Sequence, residues 1–166
     1  EHNIDMVRNA GISEVYINLH YLADQISGYF QDGKDFGVNI QYSYEPKLLG
    51  TAGALLPVLD DLGNEPFFLV YGDNYSTFNL LDLKQFHNRM NADFTIAFHW
   101  RKDVTNSGIA EFTDEGRILL FEEKPDTATH CGWVNAGIYF INPKGLMDII
   151  SPEDDFARDI FPKPIE

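Results

Sequence analysis

The hydrophobic period changes repeatedly between Gly11 and Trp100, and this alternation constrains the fold more than any other feature of the chain. EVYINL (14–19) reads as a buried strand, and YLADQISGYF (21–30) puts Leu22, Ile26 and Phe30 on one helical face. VNIQYSYE (38–45) returns to period two, with Val38, Ile40, Tyr42 and Tyr44 on one side. TAGALLPVLDDLG (51–63) reads as a helix that Pro57 would kink. PFFLVYGD (66–73) is again a buried strand, and LLDLKQFHNRM (80–90) a helix. DFTIAFHW (93–100) is a strand with Phe94, Ile96, Phe98 and Trp100 on one side. Strands alternating with helices predict an α/β fold, a parallel sheet covered on both faces.

Beyond Trp100 the order changes. SGIAEFTDEGRILLFEEKP (107–125) reads as a hairpin turning at Asp114, Glu115 and Gly116. WVNAGIYFIN (133–142) is a further strand, followed by short helices near 144–150 and 155–160. No repeat, low-complexity tract or linker interrupts the chain, so residues 1–166 read as one domain. The opening EHNIDMVRNAG sets Ile4, Val7 and Ala10 at helical spacing and stops at Gly11. It reads as a helix entered partway, so the chain is expected to be truncated.

Charge narrows the partners. Against 12 Lys and Arg stand 26 Asp and Glu, a formal charge of −14, and no basic run is present. Nucleic-acid phosphates would be repelled, so no nucleic-acid partner is expected. Nucleotides are not excluded, because a divalent cation bridges carboxylate and phosphate. Cys131 is the only cysteine, which rules out an internal disulfide and points to a reducing cytoplasm. No apolar stretch approaches a membrane span.

Four stretches carry candidate chemistry, each with a plainer alternative. FFLVYGDN (67–74) ends an apolar run on Gly72, Asp73 and Asn74. Ligands of open α/β sheets gather beyond the carboxyl ends of the strands, so Asp73 either meets Mg²⁺ there or caps a turn. EPKLLGTAGALL (45–56) places two glycines and Thr51 between a strand and a helix. Such an entrance offers backbone N–H groups and lets a flat base or ribose come close, or Thr51 is an ordinary N-cap. In FEEKP (121–125), Glu123 can accept from sugar hydroxyls and Lys124 can meet a phosphate, or both are solvated charges. In WVNAGIYFI (133–141), Asn135 offers a donor and an acceptor to a ligand hydroxyl, or is satisfied by backbone. Gly137 weakens that strand unless something must approach it.

The motifs E-x-x-x-L-G-T-A-G, Y-G-D-N, F-x-E-K-P and V-N-A-G-I-Y, in this order, resemble the sugar-1-phosphate nucleotidyltransferase family. The likeness runs from about Gly11 to Pro162 and is greatest to mannose-1-phosphate guanylyltransferase-like members. It implies a Rossmann-like three-layer sandwich with a mixed, mainly parallel sheet, here lacking its first strand. It also implies Mg²⁺-dependent transfer of a nucleotidyl group from an NTP to a hexose 1-phosphate, with GTP and mannose 1-phosphate favoured. By motif, Asp73 would hold the metal and act with Lys124 in catalysis, Lys124 binding the sugar phosphate. Gly50, Thr51 and Gly53 would pass close to base and ribose, with Glu45 lining that pocket. Gly108, Glu123 and Asn135 would bind the sugar.

The family's Gly-rich loop, G-x-G-T-R-L-x-P with a later P-K, would precede Glu1, and its second metal-binding Asp would follow Glu166. The chain alone is therefore expected to be inactive, and pyrophosphate release by it would refute that. An uncovered strand edge is expected to favour a homo-oligomer. Asp159 in FARDIF reads as a helical surface residue. His20, His87, His99 and His130 show no ligand spacing and read as satisfied or solvated. Cys131 reads as a loop thiol, and Phe94, Phe98 and Trp100 as core. Two alternatives stand beside the leading reading. A glycosyltransferase consuming an NDP-sugar usually carries Asp-x-Asp, which Gly72-Asp73-Asn74 lacks. A non-catalytic regulatory paralogue would keep the same fold and pocket. No G-x-G-x-x-G supports a dehydrogenase.

Overall fold

A computed structural model describes residues 1–124 and 131–162, so Pro125 and His130 lie outside the described residues. The chain runs through helix α1 (His2–Asn9), strand β1 (Glu14–Leu19), helix α2 (Ala23–Phe30) and strand β2 (Asn39–Tyr44). Short helices α3 (Gly50–Gly53) and α4 (Leu59–Leu62) flank a 3₁₀ turn at Leu56–Val58. Pro57 has no N–H to continue a helix, so the expected 51–63 segment breaks there. Strand β3 (Phe67–Val70), helix α5 (Leu80–Met90) and strand β4 (Phe94–Arg101) follow. Strands β5 (Gly108–Phe112), β6 (Ile118–Glu123) and β7 (Gly132–Ile141) come next, then helix α6 (Pro143–Met147) and a π-helical turn at Phe156–Ile160.

Two details of the sequence reading are corrected here. Leu22 precedes α2 with a left-handed φ of 55° and is 46% exposed, so it leaves the helical face it was expected to share. The period-two pattern of β2 slips at its end, where Ser43 is buried and Tyr44 is exposed. Helix α5 matches its expected span. Asn79 caps it by accepting from the Leu81 N–H at 3.1 Å, and Asn91 closes it at a φ of 48°.

β1 and β2 form a parallel pair. The remaining five strands form a second sheet in which every pairing is antiparallel: β3, β4 and β5 each with β7, and β5 with β6. Strand directions are mixed, as expected, but neighbours are not mainly parallel. Ile141 of β7 faces both Phe67 and Phe94, so β7 lies between β3 and β4. Those two strands, joined through α5, share one direction, which is what their alternation with a helix predicts. The pattern does not reveal that a later antiparallel strand separates them. Among the described residues no strand pairs with the second edge of β1 or of β3.

Both faces of the larger sheet are covered, because alternate residues of its strands are apolar. Leu69, Ile96, Phe98, Tyr139 and Ile141 pack with Phe156 and Phe161 on one face. Phe68, Val70, Ala97, Ile138 and Phe140 pack with Leu80 and Leu83 of α5 on the other. Met6 and Val7 of α1 join that second cluster, while Ile4 turns to a third cluster under β1 and β2. Helix α1 thus ties the two sheets together. Buried His87 packs edge-on against Phe140 and contacts Thr95 Oγ1 at 2.8 Å, a satisfied core histidine. Trp100 is 54% exposed, unlike the other aromatics of its strand. Among the described residues no helix is long and apolar enough to cross a membrane.

Candidate active site

The Y-G-D-N and V-N-A-G motifs meet at a break in β7. Ile96 faces Tyr139 and Phe98 faces Asn135, so two steps along β4 match four along β7. The extra residues bulge at Gly137, whose φ is +69°. A Cβ there would stand 2.6 Å from Asn74 Nδ2 and 2.9 Å from the Tyr71 ring, so glycine is required. The loop after β3 is bonded to this bulge. Tyr71 N–H donates to the Gly137 carbonyl at 2.9 Å, and Asn74 Nδ2 donates to the Ala136 carbonyl at 3.1 Å.

A cleft of about 710 Å³ opens over this junction, with Thr51, Asn135 and Asp155 along its lining. Gly108 and Glu123 also line it, facing one another across the β5–β6 pair. A Cβ on Gly108 would lie 2.5 Å from Glu123 Oε2, so the glycine makes room for that carboxylate. Burial pushes the Glu123 carboxyl up, the Lys124 ammonium opposes this, and the nearby Asp155 carboxylate adds to it. His99 and Arg101 line the cleft from β4. The structure therefore brings together Thr51, Gly108, Glu123 and Asn135 of the residues expected from sequence.

The other expected residues stand differently. Asp73 is exposed on the loop after β3 and does not line the cleft, although Tyr71 and Asn74 on either side do. Asn3 Nδ2 donates to the Tyr71 and Gly72 carbonyls at 3.2 and 3.3 Å, fixing the turn that carries Asp73. Lys124 is also outside the lining, with Nζ 3.9 Å from Glu123 Oε1 and a left-handed φ of 49°. Glu45 is 2% exposed and does not line the cleft. Its Oε1 accepts from Asn18 Nδ2 at 2.8 Å and its Oε2 from the Leu49 N–H at 3.2 Å, so it holds the turn before α3.

Gly50 and Gly53 also have a structural use. Ala52 and Gly53 N–H groups donate to the Asp154 carbonyl at 3.0 and 3.1 Å. A Cβ on Gly50 would lie 2.3 Å from that same oxygen, and one on Gly53 would lie 2.9 Å from the Glu153 nitrogen. The space that the sequence reading gave to a base is thus occupied by residues 151–154.

Thr51 is not the N-cap of its own helix. It caps the distant turn at 156–160, accepting from the Phe156 N–H at 3.0 Å and donating to Asp155 Oδ2 at 2.8 Å. Asp155 accepts from Ala157 and Arg158 N–H groups, while Asp159 Oδ2 accepts from the Asp155 N–H at 2.8 Å. This reciprocal capping gives Asp159 a partner that a surface reading did not anticipate.

Sequence reasoning missed Tyr71, Tyr139 and Asp155. Asn135 Nδ2 donates to the Tyr139 hydroxyl at 2.7 Å, and Asn135 Oδ1 accepts from the Gly137 N–H at 2.9 Å. The Tyr71 and Tyr139 rings meet edge-on with centroids 5.5 Å apart, and burial pushes both tyrosine hydroxyls up, so they stay neutral. The signal available was a tyrosine inside each of two motifs that end at the same sheet edge.

Among the described residues no group of three or more His, Cys, Asp or Glu is arranged to hold a metal ion. The Asp73 carboxylate has no hydrogen-bond or ion-pair partner among them. A single unengaged carboxylate at a strand end fits Mg²⁺, which takes one or two carboxylates together with phosphate oxygens.

With this fold and cleft in hand, comparison identifies the class. The family model described as nucleotidyl transferase matches residues 1–166, and the chain belongs to that family. It is 33% identical to the mannose-1-phosphate guanylyltransferase catalytic subunit beta of Dictyostelium discoideum, covering 97% of this chain and 45% of that protein. It is 30% identical to a UTP–glucose-1-phosphate uridylyltransferase of Synechocystis sp., covering 98% and 46%. The crystal structure of HddC from Yersinia pseudotuberculosis complexed with GMP-PN shares its fold, with a TM-score of 0.79 at 21% identity, covering 98% of this chain and 71% of that one. The chain spans less than half the length of the two curated relatives.

Proposed function

We propose that the protein carrying this chain transfers a nucleotidyl group from an NTP to a hexose 1-phosphate, releasing pyrophosphate. A sugar phosphate oxygen attacks the α-phosphorus in line, one P–O bond forms, and the bond to the β-phosphate bridge breaks. One observation carries this reading: Gly108, Glu123 and Asn135 converge on one cleft in a chain of the nucleotidyl transferase family. Glu123 accepts from sugar hydroxyls, and Asn135 takes another hydroxyl. Lys124, one residue beyond the cleft wall, reaches the sugar phosphate with its exposed ammonium. Asp73 would hold Mg²⁺, which would neutralise charge at the phosphates. Thr51 lies at the nucleotide end, with Gly50, Gly53 and Glu45 acting behind it by shaping the wall.

GTP and mannose 1-phosphate are the favoured pair, supported by the guanylyltransferase relative and by the HddC structure complexed with GMP-PN. The uridylyltransferase relative makes UTP with glucose 1-phosphate the pair to compare. The exposed, free Cys131 fits a reducing cytoplasm.

The full-length protein should be incubated with Mg²⁺ and each of GTP, UTP and dTTP, paired with mannose or glucose 1-phosphate. Pyrophosphate and NDP-sugar should appear together, most rapidly from GTP and mannose 1-phosphate. Asp73→Ala and Lys124→Ala should each slow turnover by about a hundredfold. No pyrophosphate from any pairing would overturn the proposal, and a faster UTP–glucose pair would overturn only its specificity.

A further inference from the structure

The first turn of α1 is aimed by its own spacing at the loop that carries Asp73. Met6 and Val7 follow Asn3 by three and four residues, so all of them share one face of the helix. Met6 and Val7 pack with Phe68 and Val70 of β3, and Asn3 meets the residues that continue that strand. Its NH₂ serves two successive carbonyls, those of Tyr71 and Gly72, at 3.2 and 3.3 Å. A flipped amide would set its oxygen against both carbonyls with no proton between them, so the orientation is fixed. The orientation leaves a trace: Asn3 Oδ1 is buried and has no hydrogen-bond partner among the described residues. Such an orphaned acceptor weakens a fold and calls for an explanation.

The other side of the loop is held as well. Tyr71 N–H and Asn74 Nδ2 bond the β7 bulge, and the Asn74 N–H returns to the Tyr71 carbonyl at 3.4 Å. His2 stacks on Tyr75 with ring centroids 4.1 Å apart. Residues on both sides of Asp73 are anchored, while its own carboxylate has no partner among the described residues. We infer that Asn3 is a positioning residue: by clamping the Tyr71 and Gly72 carbonyls it holds the Asp73 carboxylate ready for a divalent cation. A carboxylate on a loose loop gives up that freedom when it takes the cation, and one already held gives up less. Asn3 does not line the cleft, so it acts on the reaction only through this turn. The inference rests on the proposed role of Asp73 as metal ligand, whereas the clamp itself does not.

The test compares the ¹⁵N-labelled full-length wild type with Asn3→Leu and Asp73→Ala. Asn3→Leu removes the two bonds and the orphaned oxygen together, so its melting temperature should stay close to that of the wild type. Without metal, the backbone order parameters of Gly72 and Asp73 should fall from about 0.85 to below about 0.6 in Asn3→Leu. With Mn²⁺ alone as the probe, the concentration that half-broadens the Asn74 amide signal should rise about tenfold in Asn3→Leu and further in Asp73→Ala. Turnover by Asn3→Leu should recover at high Mg²⁺, and turnover by Asp73→Ala should not. Unchanged order parameters in Asn3→Leu would overturn the clamp. A lowered melting temperature with a wild-type Mn²⁺ response, where Asp73→Ala has lost that response, would make the bonds merely structural and overturn the positioning role. If Asp73→Ala also responds like the wild type, Asp73 is not the metal ligand, and its proposed role falls together with this inference. Asn3→Ala supplies the same comparison where leucine is not accommodated.

Discussion

Two glycine-bearing stretches that look alike in sequence differ in what their glycines face. At Gly50 a Cβ would strike the backbone oxygen of Asp154, at 2.3 Å. At Gly108 it would strike the tip of the Glu123 side chain, at 2.5 Å, and that carboxylate lines the cleft. Around Gly50 the backbone donors are engaged, since Asp154 receives both the Ala52 and the Gly53 N–H. Around Gly108 the polar groups have capacity left for a ligand. One stretch closes a wall against its own chain, and the other keeps a wall open. Small residues beside a polar one therefore signal close approach, but not whether backbone or ligand does the approaching.

The largest expected effect follows from the closed wall. Gly50→Ala meets backbone on one side and a left-handed φ of +77° on the other, and neither relaxes by turning a side chain. It should lose about 2–4 kcal/mol of stability by denaturant unfolding. If unfolding is unchanged and only NTP affinity falls, the glycine faces a ligand after all and the comparison breaks. Gly108→Ala should lose less, about 1–2 kcal/mol, because Glu123 can swing aside and only the edge of the Phe121 ring, 2.9 Å from the new Cβ, must give as well. Its larger consequence should be kinetic, a raised KM for hexose 1-phosphate, since the displaced carboxylate is the one proposed to accept its hydroxyls. Equal destabilisation by the two variants would erase the distinction between the walls.

The sequence shows this architecture unevenly, for physical reasons. Local periodicity set β1, α5 and β7 close to their observed spans, because each buries an apolar face with its own neighbours. Pro57 announced the break between α3 and α4, since the missing N–H acts locally. What periodicity cannot show is pairing at long range. That β7 separates β3 from β4, and that Thr51 caps a turn some hundred residues later, depend on contacts at separations of 105 residues and similar. Glu45 was read as a ligand contact because its motif position is all that sequence offers. Its burial and its bonds to Asn18 and Leu49 appear only once the parallel pair is folded. Asn135 had been left between ligand and backbone, and it meets both descriptions: one oxygen lone pair serves Gly137, and the remainder faces the cleft.

The subtlest difference between the walls is electrostatic. Glu123 is pushed up mainly by burial, with Asp155 adding to it and Lys124 opposing, and its ordinary value is 4.5. Below that value the carboxyl is protonated in folded and unfolded chains alike, and the fold has its full stability. As pH rises through it, the unfolded chain ionises first, and stability falls until the folded carboxyl also ionises. Glu123→Gln never ionises, so it should escape this loss. Its melting temperature relative to wild type should rise between pH 4.5 and neutrality. Gly50, Ala52 and Gly53 contribute nothing to this window, because their bonds are to backbone groups that do not titrate. Saturating hexose 1-phosphate should narrow the gap between Glu123→Gln and wild type at neutral pH, since hydroxyl donors favour the charged carboxylate. Parallel melting curves across the window, with and without the sugar phosphate, would show that Glu123 is as solvated as a surface residue. The open wall would then hold no strained charge for a ligand to relieve.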